Sequence, residues 1–307
     1  MSSFAVASVQ LECRIGDNLG AMARQIAVVA KRFPWVDMIL FGELCAHGPG
    51  LGAAEPMPGA TEAHFCALAR KHDVWLVPGS MYELDNGSVY NTVPVIDRQG
   101  RVVTRYRKIY PFEPYETGVT PGTECVTFEV PGIGTFGLSI CYDFWFPETI
   151  RTLVWKGAEV ILHPTLTNTI DRDAELAIAR ASAVTNQCYV LDVNSAGELA
   201  VGRSIVVGPE GDVLHTAGTG QEIIPLRLDL ERVRRSRREG VHGLGQPLKS
   251  FRDGPTTFPP YAAGASQSQT LQALGPLAMP GRSEALDTPA TGTDWGARER
   301  LKPADPR

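Results

Sequence analysis

Gly137-Leu138-Ser139-Ile140-Cys141-Tyr142-Asp143-Phe144-Trp145-Phe146-Pro147-Glu148 is the stretch on which the reading of this chain turns. An apolar run with the character of a buried strand ends at a cysteine, and an aromatic loop follows. Pro147-Glu148 then opens a helix reaching about Gly157, because proline suits the first helical position. A thiol is thereby presented at a strand end. A side chain there can be aimed into a cleft while the following backbone N–H groups stay free to hold an oxyanion. Free cysteine is also a common core residue, so this stretch alone leaves a catalytic and a structural thiol both open.

The rest of the composition narrows the setting. A chain of 307 residues can bury a large core, and 43% hydrophobic with 21% charged residues is ordinary for a globular protein. The net charge of −5 gives no support to nucleic-acid binding. The basic run Arg232-Val233-Arg234-Arg235-Ser236-Arg237-Arg238 contains Val233, which favours a solvated helix face or a subunit contact over a phosphate track. The six cysteines, Cys13, Cys45, Cys66, Cys125, Cys141 and Cys188, are too sparse for a disulfide framework and fit free thiols in a reducing cytosol. Met1 to Gln10 lacks the pattern of a signal peptide, and no run reaches the roughly 18 apolar residues of a membrane span. Histidines and cysteines show no metal-ligand spacing, so a structural metal is not expected. The expected location is cytoplasmic.

Outward from Cys141, the pattern alternates strands and helices. Strands are predicted over Phe4 to Leu11, Val36 to Phe41, Val74 to Tyr82, Ser88 to Ile96, Val102 to Tyr106, Val126 to Val130 and Thr135 to Ile140. Others follow at Val160 to His163, Tyr189 to Val193, Arg203 to Val207, Val213 to Thr216 and Ile223 to Leu228. Helices are predicted over Asn18 to Phe33, Thr61 to His72 and Asp171 to Asn186. Asp85-Asn86-Gly87 and Asp97-Arg98-Gln99-Gly100 are turns between antiparallel neighbours. Mixed sheets with intervening helices indicate a layered α/β (α+β) sandwich. The composition shifts near Asp253, giving a domain over 1–253 and a Pro-, Gly-, Ala- and Ser-rich tail over 254–307, extended or disordered, or lying as a strap over a partner subunit.

Cys141 would need a base, an oxyanion holder and an acid for the leaving amine. Glu43 directly follows Met38-Ile39-Leu40-Phe41, and Lys108 closes the strand ending Arg105-Tyr106-Arg107. Each of these polar side chains stands at a strand terminus beside apolar sequence. Their repetition, in the order Glu, Lys, Cys, resembles the nitrilase superfamily of carbon–nitrogen hydrolases. The resembling residues are Phe41-Gly42-Glu43, Tyr106-Arg107-Lys108-Ile109 and Ile140-Cys141-Tyr142-Asp143 with Phe146-Pro147-Glu148 and Arg151. Arg180-Ala181, Asn186, Tyr189-Val190, Asn194, Gly202-Arg203-Ser204 and Gly208-Pro209-Glu210-Gly211 extend the likeness, which covers about Phe4 to Arg238. The resemblance implies a four-layer αββα sandwich, a cofactor-free Cys-Glu-Lys site and assembly into a homodimer or higher homo-oligomer. Gly42 departs from it, since the family usually has proline there.

On this resemblance Glu43 is base and acid, Cys141 the nucleophile, and Lys108 with the backbone N–H of Tyr142 the oxyanion holder. The loop Tyr110-Pro111-Phe112-Glu113-Pro114-Tyr115-Glu116-Thr117-Gly118-Val119-Thr120-Pro121-Gly122 looks like that of the aliphatic amidase and formamidase branch. It makes Glu116 a second carboxylate, with Glu113 its competitor. Phe112, Trp145 and His163 are candidate substrate contacts. The expected partner is a small-molecule amide, hydrolysed to an acid and ammonia through a cysteine thioester. Nitrile or N-carbamoyl hydrolysis with the same residues, a Cys141–His163 thiol hydrolase and an idle scaffold are the alternatives.

Overall fold

Along the strand Met38–Phe41, Met38 and Leu40 enter one apolar cluster while Ile39 and Phe41 enter another, as the two-residue period of a strand requires. That alternation assigns the layers of the computed structural model, which describes residues 3–263 and 268–278. The first cluster lies between two sheets, where Leu40 and Val6 join Leu138, Leu162 and Val193. In the second, Ile39 and Phe41 pack on Met22, Ile26 and Val29 of the helix Leu19–Arg32 and on Phe65 and Ala69 of the helix Ala60–His72. The third backs the other sheet: Ile161 and Val190 meet Ile150 and Leu153 of the helix Pro147–Trp155 and Ala179 and Ala183 of the helix Arg172–Asn186. The order is helix, sheet, sheet, helix, the αββα sandwich expected.

The seven-stranded sheet runs Glu222–Asp229, Ser3–Gln10, Met38–Phe41, Trp75–Val77, Ser88–Ile96, Met81–Asp85, with Val102–Arg107 also paired to Ser88–Ile96. The six-stranded sheet runs Val213–Thr216, Ile205–Val207, Tyr189–Asn194, Val160–Thr165, Gly134–Leu138, Thr127–Val130. Each sheet has a parallel centre: Ser3–Gln10 with Met38–Phe41 and Trp75–Val77, and Gly134–Leu138 with Val160–Thr165 and Tyr189–Asn194. Parallel centres direct the C-terminal strand ends to one edge of the sandwich, where loops collect.

One local expectation is corrected. The single strand read over Val74 to Tyr82 is two, Trp75–Val77 and Met81–Asp85, because Gly79 turns the chain at φ +80° and a Cβ there would collide with the carbonyl oxygen of Gly42. The basic run forms the helix Leu230–Glu239, in which Arg235 and Arg238 are exposed, as on a solvated helix face, while Arg232 binds Glu210 (3.0 Å) and Asp212 (2.6 Å) and Arg234 binds Glu159 (2.8 Å). The segment after Asp253 contains the short helices Pro259–Ala263 and Gln269–Gln272, with Leu271, Leu274 and Leu277 exposed. The rest of the expected tail, 264–267 and 279–307, lies outside the described residues. Among the described residues no helix is long and apolar enough to cross a membrane.

Candidate active site

The three polar side chains singled out in the sequence stand just beyond the strands Met38–Phe41, Val102–Arg107 and Gly134–Leu138. Glu43 is anchored across the sandwich, its backbone N–H donating to Thr165 O at 3.1 Å. The N–H of Lys108 donates to Asn91 O at 2.8 Å, continuing the pairing of its strand with Ser88–Ile96. Cys141 has φ 44°, in the left-handed region that few residues other than glycine adopt. Such backbone persists where its surroundings over-determine it. Here the chain passes from extended Ile140 into the 3₁₀ turn Cys141–Trp145, and a buried carboxylate fixes the change of direction. Asp143 Oδ2 accepts the Ile140 N–H (2.8 Å) and the Tyr106 hydroxyl (2.6 Å), while Oδ1 accepts the Tyr110 N–H (2.9 Å). Tyr106 and Tyr110 flank Lys108, so Asp143 ties the cysteine turn to the lysine segment.

Lys108 is buried and shared: its Nζ donates to Glu43 Oε1 at 2.9 Å and to Glu116 Oε2 at 2.6 Å. Asn91 bridges the same two acids, with Nδ2 donating to Glu43 Oε1 (2.8 Å) and Glu116 Oε1 (3.1 Å). The Phe112 N–H closes on Glu116 Oε2 at 2.6 Å. Glu116, not Glu113, is therefore the second carboxylate at the lysine. Two acids around one cation divide their roles by environment. Burial raises the carboxyl of Glu43 to about 7, with Lys108 opposing and Glu116 adding to the rise. Burial also acts upward on Glu116, but the charge and hydrogen bond of Lys108 outweigh it and leave Glu116 below the usual carboxylate range. Lys108 is held well above its ordinary value, burial being overcome by Glu116 and Glu43. Burial and the nearby Glu43 push the Cys141 thiol well up, so the resting sulfur keeps its proton.

These groups share one cavity of about 580 Å³, lined by Cys141, Glu43, Lys108 and Glu116. Phe112, Tyr142 and Trp145, named from the sequence, line it too. The 3₁₀ turn makes its first bond from Asp143 N–H to Ile140 O (3.1 Å), which leaves the N–H of Tyr142 ahead of the bonded series. His163 does not line this cavity. Its Nδ1 is 2.8 Å from Ser139 Oγ, its ring stacks on Phe144 at 3.6 Å, and burial holds it well below the usual histidine range. It belongs to the packing beneath the turn, which also removes the ground for a Cys141–His163 pair. Asn91 escaped the sequence reading; its only signal is an amide among the apolar residues of Ser88–Ile96. The walls from Leu166 to Asp171 and Gly197 to Val201 carried no signal. Among the described residues no group of three or more His, Cys, Asp and Glu is arranged to hold a metal ion.

A sandwich of this layering, with a cysteine, a lysine and paired carboxylates at one cavity, defines a class. Residues 5–238 match the family described as carbon-nitrogen hydrolase, and the chain belongs to that family. It is similar to the omega-amidase NIT2 of Mus musculus, 30% identical over 262 residues, 78% of this chain and 93% of that protein. It is also similar to the 2-oxoglutaramate amidase of Bacillus subtilis, 29% identical over 241 residues, 74% of this chain and 92% of that protein. Among solved structures, Saccharomyces cerevisiae Nit3, described as a member of branch 10 of the nitrilase superfamily, superposes with a TM-score of 0.72 at 30% identity, over 77% of this chain and 94% of that one. The superfamily expected from the Glu, Lys, Cys order stands. The aliphatic amidase and formamidase branch read from the Tyr110–Gly122 loop is not the one these relatives carry.

Proposed function

We propose that this protein hydrolyses a small primary amide to a carboxylic acid and ammonia. The observation that carries the reading is the meeting of Glu43, Lys108 and Glu116 at the cavity into which Cys141 is turned. Glu43 takes the thiol proton as the sulfur attacks the carbonyl carbon, and Lys108 with the Tyr142 N–H holds the oxyanion. As the carbon–nitrogen bond breaks, Glu43 gives its proton to the leaving nitrogen, which departs as ammonia and leaves a thioester. Glu43 next takes a proton from water, whose oxygen attacks the thioester; the carbon–sulfur bond breaks, the acid leaves and Cys141 regains its proton. A carboxyl near 7 suits this alternation of base and acid. Glu116, ionised, fixes Lys108 and with it the oxyanion site.

The amidase names of the relatives support amide over nitrile or N-carbamoyl substrates, and favour the omega-amidase over the aliphatic amidase branch. Residues 1–253 act as the hydrolase domain, and 254–307 as a tail. Assembly into homodimers or larger is supported by Trp155 on an outer helix, 81% exposed. A cytoplasmic site is supported by six cysteines all unpaired. Ammonia release from a primary amide, a nitrile and an N-carbamoyl amine, with wild type and Cys141→Ala, tests the function. Release from the amide, lost in the variant, is expected; undiminished release by the variant overturns it.

A further inference from the structure

The cavity wall carries five carboxylic side chains, Glu43, Glu116, Asp171, Glu175 and Glu198, and among its lining residues Lys108 is the one cation. Lys108 is already spent on Glu43 and Glu116. The other three acids have no catalytic duty. Glu175 is held by Thr167 Oγ1 (2.9 Å) and Arg172 Nη1 (3.0 Å), but Arg172 also serves the buried Asp192 at 2.9 Å, so this cluster does not cancel its own negative charge. Its field reaches the thiol, adding to the rise of the Cys141 pKa. Asp171 receives the Thr169 hydroxyl at 3.2 Å, and Glu198 is exposed; neither is in an ion pair among the described residues.

A second, independent feature belongs to the same cavity. Phe112 packs on Tyr115 and on Tyr142, each at 4.8 Å between ring centroids, and Tyr142 on Trp145 at 6.1 Å. All four rings line the cavity. Aromatic faces attract cations through their negative quadrupole. The acids do not make the site, which the Cys141 constellation defines; they set its charge. The 2-oxoglutaramate for which one relative is named ends in a carboxylate, and here such an end would meet Asp171, Glu175 and Glu198 with no uncommitted cation in the wall.

We infer that the substrate's non-reacting end is an alkylammonium group, received by the Phe112, Tyr115, Tyr142 and Trp145 rings and by Asp171 and Glu198. This rests on the amide reading and names its substrate class: the primary amide of an amino acid whose ammonium lies at the far end of the acyl chain. The relatives' activity on amides is thereby retained while the charge preference is reversed.

The test uses three amides of equal acyl length, δ-aminovaleramide, valeramide and glutaramate, cationic, neutral and anionic at the far end. The expected order of kcat/KM is cationic, neutral, anionic, with about tenfold or more between the extremes at low ionic strength and a smaller gap in high salt. The ratio of cationic to anionic should fall by about threefold in Glu198→Gln, an exposed position that leaves the core untouched, and further when Asp171→Asn is added. Glutaramate as the best substrate, or a ratio unmoved by both substitutions, overturns the inference. Equilibrium binding of n-pentylammonium and of valerate to the unmodified protein separates this from the amide reading: if none of the three amides is hydrolysed, that reading fails, while tighter binding of n-pentylammonium still upholds the charge preference. Equal or tighter binding of valerate sinks it.

Discussion

Lys108 Nζ lies 2.9 Å from Glu43 Oε1, with both side chains buried. Removing one partner of a buried ion pair leaves an uncompensated charge, at about 3–5 kcal/mol. Lys108→Met should therefore lose folding stability of about that size at neutral pH as well as turnover. The loss should shrink near pH 5, where the stranded carboxylates can take up protons. Denaturant unfolding at the two pH values checks this, and a pH-independent loss would mean that the pair is not what the lysine stabilises.

The pH profile should report Glu43. With its carboxyl raised to about 7 by burial, the base form needed to deprotonate Cys141 accumulates as pH rises, so kcat/KM should climb through about 7 and level above it. The folding consequence has the opposite direction. The folded protein keeps a proton that the unfolded chain releases near its ordinary value of 4.5, so Glu43's contribution to stability is full below 4.5 and is lost as pH rises through about 7. Glu43→Gln should abolish both the rise in rate and this slope in stability.

Asn91 supplies one amide group to two carboxylates, at 2.8 and 3.1 Å. In Asn91→Leu, Glu43 and Glu116 lose a donor in a buried site, at about 1–3 kcal/mol. The expected outcome is a lower unfolding midpoint and a fall in kcat exceeding that in KM, because the acids are positioned by Asn91 and substrate does not touch it. Steady-state kinetics with the purified variant checks this.

Glu43, Lys108 and Cys141 were legible because each stands at a strand end beside apolar or aromatic residues, a local signal that survives without coordinates. Layer order was legible for a similar reason: the alternation in Met38-Ile39-Leu40-Phe41 and the helical spacing of Met22, Ile26 and Val29 state which faces are buried. Asn91 and the Asp143 clamp were not, since their partners are 48 and 25 residues away for Asn91 and 33 and 37 for Asp143 beyond its own turn. His163 misled because the sequence reading ended its strand there, whereas the strand runs on to Thr165, and only packing distinguishes a ring stacked on Phe144 from one facing the cavity. The acidic wall was illegible because Asp171, the N-cap of the helix Arg172–Asn186, and Glu198, in a distant turn, are brought to one cavity only by the fold.

Gly42 is where the chain departs from the family's usual proline, and its surroundings account for the difference. A Cβ at this position would stand 2.8 Å from Ser195 Oγ and 3.1 Å from the carbonyl oxygens of Thr165 and Val193. Ser195 is itself held by Cys45 Sγ at 3.1 Å, so it has little freedom to yield. Gly42→Ala should overpack this joint by about 1–3 kcal/mol. Because Glu43 is the next residue, a displacement of about 1 Å there can cost on the order of 100-fold in rate. Ser195→Gly removes the nearest obstacle, so the alanine should be tolerated better in that background, with a coupling of about 0.5 kcal/mol or more between the two changes. A double-mutant cycle read by both unfolding and ammonia release measures it. Additive effects would place the constraint on the Thr165 and Val193 carbonyls, and an alanine variant with wild-type rate and stability would refute the tight seat proposed for Gly42.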